Sequence, residues 1–410
     1  MPRTEQLTAY ARLLVRTACN LEQGQELFVS ADVTQAALVR LVVEQAYAAG
    51  ASKVTVRYTD EQVARMDYNA RPVEAFQEFP DWLALLQNGV AKRGAALLFI
   101  TSSDPLGMAG VDPAKVQAFQ RAAVAACPDW REGMDYGRNV WVIAGGASPA
   151  WAKRVFPNEP EDVAVERLWD AILRTARADG DDPHAAWLEH DQSFRHRCEW
   201  LNQQRFTSLH YTSGLGTDLT VGLTPKSIWA GVGETTVAGR RFFPNVPTEE
   251  IYTSPDCDRV DGTVVASMPL NHGGALVRDF RITFEKGRAV SWEAAEGEEV
   301  LTSIIGTDEG SHYLGECALV PYGNPIQRTG VLFLNTLFDE NAACHLALGR
   351  GFAECYEGGR QMSAAELREQ GINESATHVD FMIGTKDLCI TGTRADGTQI
   401  PVFRDGVWAF

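Results

Sequence analysis

The first half of the chain alternates strand-like and helix-like segments at a spacing that leaves few folds open. QELFVS (25–30) reads as a short buried strand. Residues 34–49 carry Leu38, Leu41 and Val42 on one helical face and stop at Gly50, and SKVTVRY (52–58) then alternates as a second strand. Strand, helix and strand in so short a span form a βαβ unit, whose strands run parallel because the helix carries the chain back to the starting edge. The pattern continues through AALLFIT (95–101), a helix near 113–126, the strand NVWVIAG (139–145) and a further helix from Pro149. A helix over 5–20, with Leu7, Tyr10, Ala11 and Leu14 in register, precedes them. The expected fold of this part is an open α/β domain with a doubly wound, mainly parallel sheet.

ARADGDDPHAAW (176–187) is acidic, polar and broken by Gly and Pro, and it marks a boundary. The expected division is therefore an α/β domain over 1–185 and a second domain over 186–410. The second begins with a helical stretch at 190–204. Its texture then changes to short alternating segments (SLHYTS, TDLTVGL, GTVVASMPL, RITFEKGRAVSWEAA) typical of antiparallel hairpins. One helix, 340–350, is expected to interrupt them. The whole chain thus reads as α/β followed by a mixed, β-rich α+β domain.

The 410 residues carry a formal net charge of −17 with no basic stripe, which argues against a nucleic-acid partner. No apolar run approaches a membrane span, and MPRTEQLTAYARLLV is too polar for a signal peptide. The eight cysteines lack any C-x-x-C spacing, so reduced thiols in a cytoplasmic protein are expected. A Walker A loop, H-E-x-x-H, a G-x-S-x-G elbow and a complete G-x-G-x-x-G are all missing.

The chemistry-bearing residues gather in the second half. In GRRFFPNVPTEEIYTSP (239–255), Pro244 and Pro247 bound a turn just before Glu249, Glu250 and a strand-like Ile251-Tyr252-Thr253. Prolines limit how far such a carboxylate moves, which suits a metal ligand. Glu316 in HYLGECALVP sits among apolar neighbours, and a carboxylate there needs a cationic partner. His345 in DENAACHLALGRGF is placed on the expected helix. His378 and Asp380 in ATHVDFMIG alternate on one face of a strand, where both can reach one ion. Each taken alone has an ordinary structural explanation. Together, two histidines and three carboxylates can hold two divalent cations, the ligand set of a two-metal hydrolase. Asp339 and Glu340 are candidate partners that orient those ligands. His210, His272 and His312 read as structural, and the acidic run at Glu293, Glu296, Glu298 and Glu299 as a solvated face.

In WAGVGETTVAGRRFFPNVPTEEIYTSP (229–255), DGTVVASMPL (261–270), DENAACHLALGRGF (339–352) and ATHVDFMIG (376–384), the chain resembles the aminopeptidase T, aminopeptidase S and PepS family of metallo-aminopeptidases. WVIAGGASPAWAKRVFP extends the resemblance into the N-terminal half. It implies two divalent metals (zinc, cobalt or magnesium) on Glu250, Glu316, His345, His378 and Asp380, with Glu316 bridging them as the central catalytic group. It further implies a homodimer that removes single amino acids from the free N-terminus of peptides by means of a metal-bridging water or hydroxide. Glu249 is a candidate to receive the substrate's α-amine.

One position departs from the family. The tyrosine seven residues after the family's helical histidine, proposed to stabilise the reaction's oxyanion, is here Phe352. Tyr356 lies one helical turn further on and is a candidate replacement if the helix continues. The alternative function is accordingly a catalytically weak peptide- or metal-binding homologue. A nucleotide- or sugar-binding α/β protein is a third reading, and it predicts no stoichiometric metal.

Overall fold

The structure is a computed structural model that describes residues 3–410. The chain divides into two compact units, one comprising the residues up to Glu189 together with Gly233–Pro247, the other His190–Val232 and Thr248–Phe410.

The first unit is built on a five-stranded sheet in the order Asn245–Val246, Trp141–Gly145, Ala96–Thr101, Glu26–Asp32, Lys53–Thr59, with every pairing parallel. Leu27, Phe28, Val29, Leu97, Leu98, Val142 and Ala144 are fully buried, as strands covered on both faces require. Helices Ala36–Ala48, Pro113–Ala126 and Pro149–Val155 stand where periodicity placed them. The last two start at Pro in the first turn, where its missing N–H is not needed, after capping by Asp112 and Ser148. Helices Arg3–Leu13, Glu61–Ala70, Asp81–Lys92 and Glu161–Thr175 also belong to this unit.

The helix read at 190–204 begins earlier, at Pro183, and runs to Gln204. Pro183 in the first turn and the Asp182 carboxylate, which accepts from the Ala185 N–H at 3.0 Å, make 182–185 a helix start rather than loop.

The second unit contains two larger antiparallel sheets. A nine-stranded sheet is built around Phe206–Thr212, Asp218–Leu223, Pro255–Val265, Ala275–Glu285 and Cys389–Arg394. A five-stranded sheet runs in the order His378–Met382, His345–Gly349, Leu314–Leu319, Ile251–Thr253, Ala230–Gly231. One cross-strand row of the smaller sheet, Cys317–Leu346–Phe381, is buried; Phe381 lies 5.8 Å from Phe280 of the larger sheet, and Cys317 is in contact with Tyr211. That face is the core, so the adjacent rows of the smaller sheet turn the other way.

The helix expected at 340–350 is not formed. Residues Glu340–Ala342 make a single 3₁₀ turn and His345–Gly349 is a strand. The run HLALG is buried at every position between two neighbouring strands, and a short continuously apolar run fits a covered strand as well as a helix. Gly349 closes the helical option, since its φ of +104° lies in a region a helix does not use.

Candidate metal centre

Register fixes which side chains share a face. Glu316 lies opposite Ala347, which lies opposite Asp380; Ala318 lies opposite His345; Gly349 lies opposite His378. Tyr252 lies opposite Ala318, and Glu250 is two residues before it. Residues directly across a ladder share a face, and residues two apart along a strand do too. Glu250, Glu316, His345, His378 and Asp380 therefore project from one face, the one opposite Cys317 and Phe381.

The side chains converge. His345 Nε2 is 3.1 Å from Glu250 Oε2 and 4.0 Å from Glu316 Oε1. His378 Nε2 is 3.1 Å from Glu316 Oε2 and 3.3 Å from Asp380 Oδ1. Two triads result, Glu250–Glu316–His345 and Glu316–His378–Asp380, each with its donor atoms within 4.8 Å of one another. Glu316 belongs to both and turns one oxygen to each histidine.

The backbone presets the imidazoles. Nδ1–H of His345 donates to the Ala343 carbonyl at 3.1 Å, and Nδ1–H of His378 donates to the Arg350 carbonyl at 2.7 Å. Both rings thus present Nε2 to the carboxylates, the arrangement in which an imidazole binds an ion. Asn341, fully buried, ties the site together: its Oδ1 accepts from the Glu249 N–H at 2.7 Å, and its Nδ2 donates to the Leu337 carbonyl and to Glu340.

Electrostatics supply the test of fit. Burial, reinforced by Asp380 and Glu250, pushes the Glu316 carboxyl up to about 7 against the opposing hydrogen bond of His378. Burial also drives Glu340 well above the usual carboxylate range, with Asp380 and Glu250 adding to it. Burial resists charge on His345, but the hydrogen bond to Glu250 and the surrounding carboxylates overcome this and raise it to about 10. His378 is raised in the same way, chiefly by Asp380. Asp380 is held below its usual range despite burial, by His378 and then His345. Buried carboxylates at this density hold protons or cations, and a set of three carboxylates and two imidazoles suits two divalent ions.

A pH dependence follows for the metal-free protein. His345 is raised from 6.5 to about 10, so the stability its charged form contributes is complete below about 6.5 and lost as pH rises through about 10. Glu316, raised from 4.5 to about 7, acts in the same sense between those values. Metal must displace these protons. Zinc titrated calorimetrically into metal-free protein at pH 7, in two buffers of different protonation enthalpy, is expected to show net release of more than one proton; equal heats in both buffers would refute this.

Some expected positions play other parts. Asp339 accepts the N–H groups of Phe333 at 2.8 Å and Asn335 at 3.0 Å, so it shapes the preceding loop and orients no histidine. Glu340 does belong to the neighbourhood, lining with Asp380 a small, partly open cleft whose walls include Leu270, Asn271, Leu334 and Met382. Glu249 is in neither triad, because neighbours along an extended chain turn to opposite sides. With 340–350 not helical, Tyr356 does not follow Phe352 by a helical turn. Its hydroxyl donates to Gln370 Oε1 at 2.8 Å and its ring packs with Leu367 and Ile372. Phe352 itself lies with its ring centre 4.9 Å from that of His378 and 5.6 Å from that of Tyr252. Sequence reasoning missed Asn341, whose contact with the backbone at 249 leaves no local signal.

The family model of the thermophilic metalloproteases (M29) matches residues 3–408. The chain is a member of the M29 peptidase family. It is 45% identical to aminopeptidase AmpS of Bacillus subtilis over 407 residues, 99% of each chain, and 43% identical to aminopeptidase T of Thermus thermophilus over 402 residues, 98% of each. The structure of wild-type AmpT from Thermus thermophilus superposes with a TM-score of 0.92, covering 99% of both chains at 42% identity. This M29 peptidase is thus a homologue of metallo-aminopeptidases, with an N-terminal parallel sheet with helices and C-terminal β-rich antiparallel sheets. No helix among the described residues is long and apolar enough to cross a membrane.

Proposed function

We propose that this M29 peptidase releases single amino acids from the free N-terminus of peptides at a two-metal site within 186–410, held by Glu250, Glu316, His345, His378 and Asp380. The observation that carries the reading is the position of Glu316, one carboxylate shared by two ligand triads on a single sheet face. A pair of divalent ions (zinc, cobalt or magnesium) held by these residues would supply Lewis acidity, which activates water and polarises the peptide carbonyl. The residues of the chain do the rest. Ala343 and Arg350 hold the imidazoles in the tautomer that offers Nε2. Asn341 fixes the Glu249–Glu250 backbone. Glu340, a buried acid on the wall of the neighbouring cavity, pairs with the substrate's α-ammonium, in place of Glu249. The apolar walls of Leu270, Leu334 and Met382 receive the first side chain. Homodimeric assembly is carried into the proposal by the family resemblance, and cytoplasmic location by the eight cysteines without C-x-x-C spacing.

Metal-stripped protein is expected to hydrolyse leucine p-nitroanilide only after zinc, cobalt or magnesium is restored, and to leave N-acetyl-leucine p-nitroanilide intact. Hydrolysis that ignores metal, or that accepts the blocked amine, would sink the reading. The second reading, a weak metal- or peptide-binding homologue, is favoured by Phe352, whose ring meets His378 where the resemblance calls for a hydroxyl. Two bound ions without turnover would establish it.

A further inference from the structure

We propose that Tyr252 is the oxyanion donor of this chain, doing from the adjacent strand what the resemblance assigns to the position of Phe352; the proposal rests on the two-metal peptidase reading. The phenylalanine leaves its position able to pack but unable to donate. Its ring centre is 4.9 Å from that of His378, and it also meets the Tyr252 ring edge-on at 5.6 Å and 72°. Phe352 thus touches both the His378 imidazole and the Tyr252 phenol.

Register independently puts Tyr252 on the reactive face. It lies opposite Ala318, and Ala318 lies opposite His345. Only a methyl group therefore stands in the row between the phenol and the imidazole. Tyr252 is also two residues from Glu250, so both side chains leave the backbone on the same side. The flanking Ile251 and Thr253 are buried on the core side, whereas Tyr252 keeps partial access to solvent, as a group that must meet substrate requires. Tyr356 is not part of this group of rings: it packs with Leu367 and Ile372.

In the step concerned, the oxygen of water bonds to the carbonyl carbon and the carbonyl π pair moves onto its oxygen. When that pair returns, the C–N bond breaks and the leaving nitrogen keeps its electrons and takes a proton originating from the water. The phenol donates a hydrogen bond to the oxygen while it carries charge, and keeps its own proton throughout. A donor of this kind contributes about 100- to 1000-fold in rate.

The test compares wild type, Tyr252→Phe and the double variant Tyr252→Phe/Phe352→Tyr, each loaded with metal. Tyr252→Phe is expected to retain both ions by elemental analysis and to keep its KM for leucine p-nitroanilide. Its kcat should fall about 100-fold or more, and its affinity for the phosphonic acid analogue of leucine, a tetrahedral anion, should weaken in parallel. The double variant should recover both, because the hydroxyl returns at the neighbouring ring. Unchanged kcat and phosphonate affinity in Tyr252→Phe would overturn the proposal. So would loss of the ions, or failure of the double variant to recover, since either makes the ring a structural support. Absence of turnover in the metal-loaded wild type would instead remove the peptidase reading, and phosphonate binding by wild type and Tyr252→Phe would still report on the hydroxyl.

Discussion

Replacing Glu316 with glutamine is expected to lower kcat/KM by about a thousandfold or more, a loss of at least ~4 kcal/mol in transition-state stabilisation. The amide is nearly isosteric, so the fold survives, but one of its two oxygens becomes an N–H₂ group that cannot bind a cation. Because each oxygen of Glu316 faces a different histidine, either orientation of the amide spoils one triad. Metal analysis separates this from other causes. The variant is expected to hold one ion or none under conditions where wild type holds two. Glu316→Gln with two tightly held ions and normal turnover would be incompatible with a shared carboxylate at the centre of the site.

Gly349→Ala is expected to abolish high-affinity metal binding and to destabilise the protein by about 2–5 kcal/mol, from backbone strain and overpacking together. A Cβ at this position would stand 2.2 Å from the Thr377 carbonyl oxygen, and the residue has φ of +104°. Neither term is relieved by rotating a side chain, because the obstacle is backbone. The consequence reaches the metal centre through two short links. Arg350 N–H donates to the same Thr377 carbonyl at 2.8 Å, and the Arg350 carbonyl accepts from His378 Nδ1. Moving Thr377 therefore moves both His378 and the group that sets its tautomer. Thermal unfolding with and without added metal checks the expectation: the metal-dependent increase in melting temperature should vanish in the variant. A variant that kept the full increase would show that this strand end is free to adjust.

Legibility in the sequence followed the range over which each interaction acts. The parallel strands near the N-terminus are continuous apolar runs separated by helices with their own start and stop residues, so segments such as 52–58 and 113–126 could be placed from local pattern. His378-x-Asp380 was equally readable, since alternation along one strand needs no knowledge of the neighbours. His345 was recognised as a chemical group but assigned to the wrong element, because HLALG carries no period that separates a covered strand from a helix. That error carried over to Phe352 and Tyr356, whose relation depends on the backbone between them. Asn341 was invisible for another reason. Its importance lies in one hydrogen bond to the backbone at position 249, and no composition or spacing records such a contact. The convergence of four strands on Glu316 is a tertiary fact: residue types alone suggested the five groups as one ligand set, and the central place of Glu316 came only through the resemblance.

The way the five groups are recruited has a bearing on how the protein is assembled in time. Only His378 and Asp380 are close along the chain; Glu250, Glu316 and His345 reach them through the pairing of four strands drawn from distant parts of the sequence. Closing contacts of such separation costs chain entropy before any of them yields stability, which makes a sheet of this kind slow to nucleate. Of the five groups, an unfolded chain brings only His378 and Asp380 near each other. An ion held as proposed would thus be a late arrival that selects the finished sheet. It would act as a clasp on the native state, slowing the way out, while the rate of the way in is set by the strands alone.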